Sequence, residues 1–298
     1  VHRKVYQRLE CIGKGGSSRV YKVVSPENAI YAIKRVSLEN ADPATIESYK
    51  NEIALLRRLE GNKRIIRLIE YDATSSKKNL LMVMECGEVD LAKLLTEKQG
   101  EPVDFPWVTS YWHQMLQAVQ VIHEEKIVHS DLKPANFVLV KGSLKLIDFG
   151  IAKAIPNDTT NIQREQQIGT VNYMSPEAIQ GTHGMAGGVR VMKLGRASDV
   201  WSLGCILYQM IYGQAPFYFL SMWQKMSAIP DPSHAIDFPA NATPIPPGII
   251  DTMRNCLKRD PKTRPSIPEM LAEKWNMSPE PRKLAFKVPK RNNCSSAI

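Results

Sequence analysis

The sequence predicts an α+β fold of two lobes: a small β-rich N-lobe with one main helix, and a larger α-helical C-lobe. Two observations carry this. Up to about Glu85 the apolar residues fall in short runs rich in β-branched and aromatic side chains, as in strands. Beyond Gly87 they recur at three- and four-residue steps, as in helices. A length of 298 residues suits two such lobes around one cleft, and the cleft is the expected place for chemistry.

Each element has a local reason. Val5 to Ile12 reads as a strand running into the cluster Gly13-Lys14-Gly15-Gly16-Ser17-Ser18. Arg19 to Val24, the turn Ser25-Pro26-Glu27-Asn28 and Ile30 to Val36 read as an antiparallel hairpin. Asp42 is an expected N-cap with Pro43 at the first helical position. Ile46, Tyr49, Ile53, Leu56 and Leu59 then give a buried stripe, with Glu52 on or beside it. Strands are expected around Ile65 to Tyr71 and Asn79 to Glu85. Helices are expected over Trp107 to His123, Ser198 to Tyr212, Pro247 to Lys258 and Ser266 to Trp275. Ser198 to Tyr212 is the most apolar and reads as central, and Ser266 to Glu269 spells a capping box.

Composition excludes several classes. No apolar run is of membrane length and no charged-then-apolar leader opens the chain, so neither a spanning segment nor a secretory signal is expected in it. The five cysteines, Cys11, Cys86, Cys205, Cys256 and Cys294, are odd in number and widely spaced. They read as reduced intracellular thiols and not as a disulfide frame or zinc site. The formal charge of +9 is spread along the chain, and no helix-turn-helix, finger or RNA-binding aromatic signature accompanies it, so nucleic acid is not expected as the main partner. The glycine-rich, basic stretch Gly181 to Gly195 reads as a mobile surface insertion. Residues 278–298 read as a basic, disordered tail.

Three clusters and one residue pair bear chemistry. The glycine loop lets backbone N–H groups approach phosphates, although alone it is equally an ordinary hairpin loop. Lys34 sits inside a strand, and a half-buried Glu52 needs a cation, so the two are expected to pair. His129-Ser130-Asp131-Leu132-Lys133-Pro134-Ala135-Asn136 groups Asp, Lys and Asn on one loop between apolar elements. Asp148-Phe149-Gly150 ends the apolar run from Leu144 to Ile147, and an acid at a strand end is a plausible hard-cation ligand.

Gly-x-Gly, Ala-Ile-Lys, a helix Glu, His-x-Asp-x-Lys-x-x-Asn, Asp-Phe-Gly and Ser-Pro-Glu stand here in that order, and the chain resembles the protein kinases over about residues 1–277. The resemblance implies an N-lobe over 1–86 and a C-lobe over 87–277, with ATP and Mg²⁺ as cofactors. It implies that Lys34 holds the α- and β-phosphates, fixed by Glu52, while Gly13, Gly15, Gly16, Ser17 and Ser18 cover the phosphates. Ile12, Val20 and Ala32 would line the nucleotide pocket, with Met84 at its back, and the backbone at Glu85, Cys86 and Gly87 would bond adenine. Asp131 would accept the substrate hydroxyl's proton, Lys133 would neutralise the γ-phosphate, and Asn136 and Asp148 would hold Mg²⁺. His129, Asp199, and the pair Glu177 and Arg264 read as scaffolding, and Cys86 as a small hinge residue.

Lys133 and Thr170 match the serine/threonine pattern. Met82 to Gly87, Val128 to Phe137, Ile168 to Met174 and Ser198 to Tyr208, with the glycine loop, resemble the monopolar-spindle kinases of the spindle assembly checkpoint. That family is called dual-specificity and acts at kinetochores on scaffold proteins. The resemblance therefore implies protein substrates, autophosphorylation through transient self-association, and a nuclear and kinetochore location. Two departures from the general kinase pattern stand out: Ser18 replaces the third loop glycine, and Ser130 replaces an arginine that elsewhere binds a phosphorylated loop. Activation through Thr159, Thr160 or Thr170 is then expected to use other basic residues; for Thr159 and Thr160 a plain polar-loop reading stands equally. Two alternatives remain: a non-catalytic pseudokinase or interaction module, and a serine/threonine kinase of another pathway.

Overall fold

The computed structural model describes residues 1, 4–39, 41–73, 79–149, 171–183, 194–240 and 244–275. Gly150, Thr159, Thr160, Thr170, most of the expected insertion and the expected tail lie outside them.

The N-lobe is a five-stranded sheet in the order β1-β2-β3-β5-β4, antiparallel throughout. Its strands are β1 (Gln7–Lys14), β2 (Ser18–Val24), β3 (Ile30–Ser37), β4 (Leu68–Asp72) and β5 (Asn79–Glu85). β1 starts at Gln7, opposite Val24, and ends later than its sequence pattern suggests, because Gly13 and Lys14 still pair with Val20 and Arg19. Alternation along β3 puts Ala32, Lys34 and Val36 on one face and Ile33 and Arg35 on the other. Helix α1 (Pro43–Arg58) packs on the first face, and the Asp42 carboxylate accepts from Thr45 N–H as its cap.

The expected strand from Ile65 begins only at Leu68. Ile65 instead bridges Leu146, whose carbonyl accepts from Ile66 N–H at 3.0 Å, while Leu146 N–H donates to the Arg64 carbonyl at 2.9 Å. These bonds join the lobes. Beyond them β6 (Val89–Asp90), β7 (Phe137–Val140) and β8 (Ser143–Leu146) form a small antiparallel sheet. The rest of the described C-lobe is mainly helical: α2 (Leu91–Glu97), α3 (Phe105–Glu124), α4 (Pro176–His183), α5 (Arg196–Tyr212), α6 (Met222–Ala228), α7 (Pro247–Cys256) and α8 (Ile267–Ala272). The helix α4 takes in Gly181 to His183, so the expected insertion starts as helix.

The helix α5 is buried nearly all round, as its apolar sequence requires, and α3 and α7 pack on it. Gly204 permits the approach of α7: a Cβ there would stand 2.6 Å from Cys256 Cβ. Trp201, Leu203, Met115, Ile122 and Phe149 lie in this one core, which continues into the N-lobe through Leu56, Met82 and Val36. Among the described residues no helix is long and apolar enough to cross a membrane.

Candidate active site

The cleft face of β3 and the buried face of α1 bring Lys34 and Glu52 together, with Lys34 Nζ 2.9 Å from Glu52 Oε1. Lys34 Nζ also lies 4.0 Å from Asp148 Oδ1 and 5.7 Å from the centre of the Tyr49 ring. Burial pushes the Lys34 ammonium down, yet the Glu52 and Asp148 carboxylates outweigh it and hold it above the ordinary lysine range. It therefore stays charged at neutral pH. Burial pushes the Glu52 carboxyl up against the pull of Lys34.

The glycine loop folds over this point. Gly15 N–H donates to the Ser18 carbonyl at 2.8 Å, and Ser37 N–H donates to the Ser17 carbonyl at 2.9 Å, which ties the loop to the end of β3. Ser17 Oγ lies 3.5 Å from Tyr49 Oη on α1. Ser18 belongs to β2 and pairs with Val36, so a residue with a side chain fits where the third glycine is missing. Gly13 and Gly16 flank the turn, Ile12 stands exposed at its mouth, and Val20 faces Gly13.

At the hinge, Ala32 pairs with Met84, and both are buried. Glu85 N–H donates to the Arg67 carbonyl, while its carboxylate takes Lys145 Nζ at 2.5 Å and Arg67 N–H at 2.8 Å. These side-chain bonds brace the hinge, a task the sequence pattern did not reveal. Gly87 is required there: a Cβ would fall 1.9 Å from Val138 Cγ1 and 2.8 Å from the Leu139 carbonyl oxygen. Burial pushes the Cys86 thiol up, with Lys22 opposing, so it is a protonated hinge residue.

The loop between α3 and β7 carries Asp131, Lys133 and Asn136. Lys133 Nζ lies 3.6 Å from Asp131 Oδ2. Lys133 N–H donates to Asn136 Oδ1 at 3.0 Å, and Ile147 N–H donates to the Asn136 carbonyl at 3.0 Å, which sets Asn136 beside the strand end carrying Asp148. His129 is buried and has both ring nitrogens engaged: Nε2 donates to the Asp148 carbonyl, and Nδ1 accepts from Asp131 N–H at 3.3 Å. Only the neutral ring makes both bonds. Burial accordingly pushes its pKa below the ordinary value, against the pull of Asp199 and Asp148. The expected structural role for His129 thus gains a specific content: it sets the two acidic residues relative to each other.

Asp199 holds this loop from below. Its Oδ2 accepts from His129 N–H at 2.9 Å and its Oδ1 from Ser130 N–H at 2.8 Å. Ser130 adopts φ of 63°, a left-handed conformation that a serine takes at some cost and that these bonds maintain. His123 Nε2 stands 2.8 Å from Asp199 Oδ2 as a second brace, and no sequence signal distinguished this histidine from other buried residues of α3. Glu177 and Arg264 form the expected buried pair, with two parallel bonds of 2.7 and 2.8 Å.

A strand-held lysine paired to a helix carboxylate, a glycine loop above it and an Asp-Lys-Asn loop facing an Asp at a strand end define a phosphate-transfer cleft of the protein kinase class. The family model for the protein kinase domain matches residues 6–276, and the chain belongs to that family, whose members use ATP and Mg²⁺. It is 53% identical over 281 residues to the serine/threonine-protein kinase mph1 of Schizosaccharomyces pombe, covering 89% of this chain and 41% of that protein. It is 46% identical to the serine/threonine-protein kinase MPS1 of Saccharomyces cerevisiae, covering 91% of this chain and 36% of that one. With the dual specificity protein kinase TTK of Mus musculus the identity is 47%, covering 94% of this chain and 32% of the relative. The chain thus spans well under half the length of these relatives.

Proposed function

We propose that this chain is a catalytically active protein kinase domain of the spindle-checkpoint type, transferring the γ-phosphate of ATP to serine and threonine hydroxyls. The observation that carries the reading is the closed Lys34–Glu52 pair, 2.9 Å apart, with Asp148 4.0 Å from the same ammonium. This arrangement aims a fixed cation at the place where the phosphates would lie.

The residues then divide the work. Ile12, Val20 and Ala32 enclose adenine, which bonds the backbone of Glu85 to Gly87 in front of Met84. The backbone from Gly13 through Gly15 and Gly16 to Ser17 and Ser18 covers the phosphates, and Lys34 donates to the α- and β-phosphate oxygens. Asp131 takes the proton of the substrate hydroxyl as its oxygen bonds the γ-phosphorus and the bond to the β-phosphate oxygen breaks, releasing ADP. Lys133, beside Asp131, offsets charge on the transferring group. The Asp148 carboxylate and the Asn136 amide oxygen are the hard donors that suit Mg²⁺, and the Asn136 oxygen keeps a lone pair beyond the one used by Lys133 N–H. When bound there, the ion neutralises phosphate charge.

The wider reading rests on likeness. The protein substrates are kinetochore scaffold proteins, the location is nuclear and at kinetochores, and tyrosine is a further acceptor, as the name of the mouse relative suggests. The chain autophosphorylates on transient self-association, with Thr159, Thr160 and Thr170 as acceptors. Transfer from labelled ATP with Mg²⁺ tests the reading, with the chain itself and a Met-Glu-Leu-Thr peptide as acceptors. Asp148→Ala is expected to lower the rate by about 10²–10³-fold with an unchanged unfolding midpoint. Folded wild-type protein that transfers nothing, even after incubation with ATP, would overturn catalysis and leave a binding module; transfer to other peptides alone would move the chain to another pathway.

A further inference from the structure

The face of the N-lobe sheet turned away from the cleft carries features that phosphate transfer does not use. Alternation along β3 sends Lys34 to the cleft and Ile33 and Arg35 to the opposite face, beside Tyr21 and Arg19 of β2 and Val83 and Leu81 of β5. There, Val23, Ile33 and Val83 form a small apolar cluster separate from the main core, with Tyr21 and Leu81 only partly buried against it. A hollow of about 240 Å³ opens over this cluster, the size of a single side chain's seat more than of a cofactor's.

Its lining has one sign of charge. Lys4, Arg8 and Arg35 are exposed at its rim, and none of the described lining residues is acidic. The Arg8 guanidinium stands 5.3 Å from the centre of the Tyr21 ring, and Arg35 Nε donates to Asn79 Oδ1 at 3.1 Å, so two of the cations have defined positions. Tyr6 walls one side, tethered through its hydroxyl to the Glu70 carboxylate on β4. Three cations around an aromatic and aliphatic floor, with no carboxylate among the described lining residues, are complementary to a segment that is itself acidic and carries one apolar anchor.

We propose that this hollow is a docking site for an acidic peptide segment of a partner protein. One apolar side chain of that segment rests on Tyr21, Ile33 and Leu81, and its flanking carboxylates meet Lys4, Arg8 and Arg35. Because these cations lie across the sheet from Lys34, docking and transfer are separable.

The test uses fluorescein-labelled peptides and anisotropy with the whole chain. The probes are Asp-Glu-Phe-Glu-Asp, its Phe-to-Ala version and Lys-Lys-Phe-Lys-Lys. The first is expected to bind at least about tenfold tighter than either control, and more weakly as salt rises. The double variant Arg8→Glu, Arg35→Glu is expected to lose about tenfold in binding, while transfer to an unrelated peptide stays within about twofold of wild type. Lys4→Glu, outside the strands, should cost about threefold and carries the test should the double variant unfold. Three peptides that bind alike, no binding up to millimolar peptide, binding undiminished by charge reversal, or displacement by a substrate peptide would each overturn the proposal.

Discussion

In the N-lobe, Lys34 and Glu52 meet through one hydrogen bond of 2.9 Å; in the C-lobe, Arg264 and Glu177 meet through two, of 2.7 and 2.8 Å. Both pairs are removed from solvent, but they are satisfied to different degrees. Arg264 uses all its donors: beyond the two bonds to Glu177, Nε donates to the Lys258 carbonyl, Nη1 to that of Ala197 and Nη2 to that of Arg259. Its guanidinium also lies 5.2 Å from the Trp201 ring. In the N-lobe, Glu52 Oε2 has no hydrogen-bond partner among the described residues, and Asp148 stands close enough to share the lysine's charge. A saturated guanidinium can only hold parts together, as in a scaffold. An ammonium with donors to spare can bind an anion that arrives later.

The comparison can be broken or sharpened by experiment. The largest effect is expected at the saturated pair. Arg264→Ala leaves a half-buried carboxylate and several backbone carbonyls without donors and should cost about 3–5 kcal/mol in urea unfolding. A loss below about 1 kcal/mol would show that the pair is not the anchor its geometry describes. Glu52→Gln keeps the shape and removes the charge. Its expected cost in stability is smaller, about 1–2 kcal/mol. Its expected cost in kcat/KM is about 10–100-fold, since Lys34 loses its positioning acceptor. A larger stability loss than at Arg264 would reverse the contrast.

The smallest effect concerns His129, which links the two acidic residues of the cleft. Its folded pKa lies below the ordinary value of 6.5 because it is buried. On acidification the unfolded chain takes up the proton first, so its contribution to stability is present above about pH 6.5 and declines as pH falls toward the folded value. Thermal midpoints measured from pH 7.5 downward should fall more steeply for the wild type than for His129→Asn. Equal slopes would mean that the histidine titrates alike in both states.

Much of the local structure was legible. Strand β5 occupies the predicted Asn79 to Glu85, Asp42 caps α1, and Ser266 with Glu269 forms the predicted capping box. Each of these signals lies within a few residues, where steric and hydrogen-bonding preferences act directly. What escaped was short or ambiguous. The two-residue strand Val89–Asp90 and the short helices Pro176–His183 and Met222–Ala228 are too brief for a period to register. The apolar run at Ile65 suits a strand, yet its backbone is taken by Leu146 of the other lobe.

The site divides in the same way. Motif order and residue type already singled out Lys34, Glu52, Asp131, Asn136 and Asp148, through the resemblance to the protein kinases, whose phosphate chemistry uses groups of those types in that order. Periodicity placed Glu52 on a buried face of α1, and its need for a cation pointed to Lys34, the pair that the structure closes at 2.9 Å. For contacts of far greater separation, Arg264 with Glu177 across 87 residues and Asp199 with the backbone of His129 and Ser130 across 70 and 69, only the family resemblance pointed to the residues, and packing supplied the bonds. The roles of His123 and of the Glu85 carboxylate appeared only there too. The physical reason is that side-chain alternation and capping depend on neighbours along the chain, whereas the choice of a buried polar group's partner depends on how separate elements close around the core.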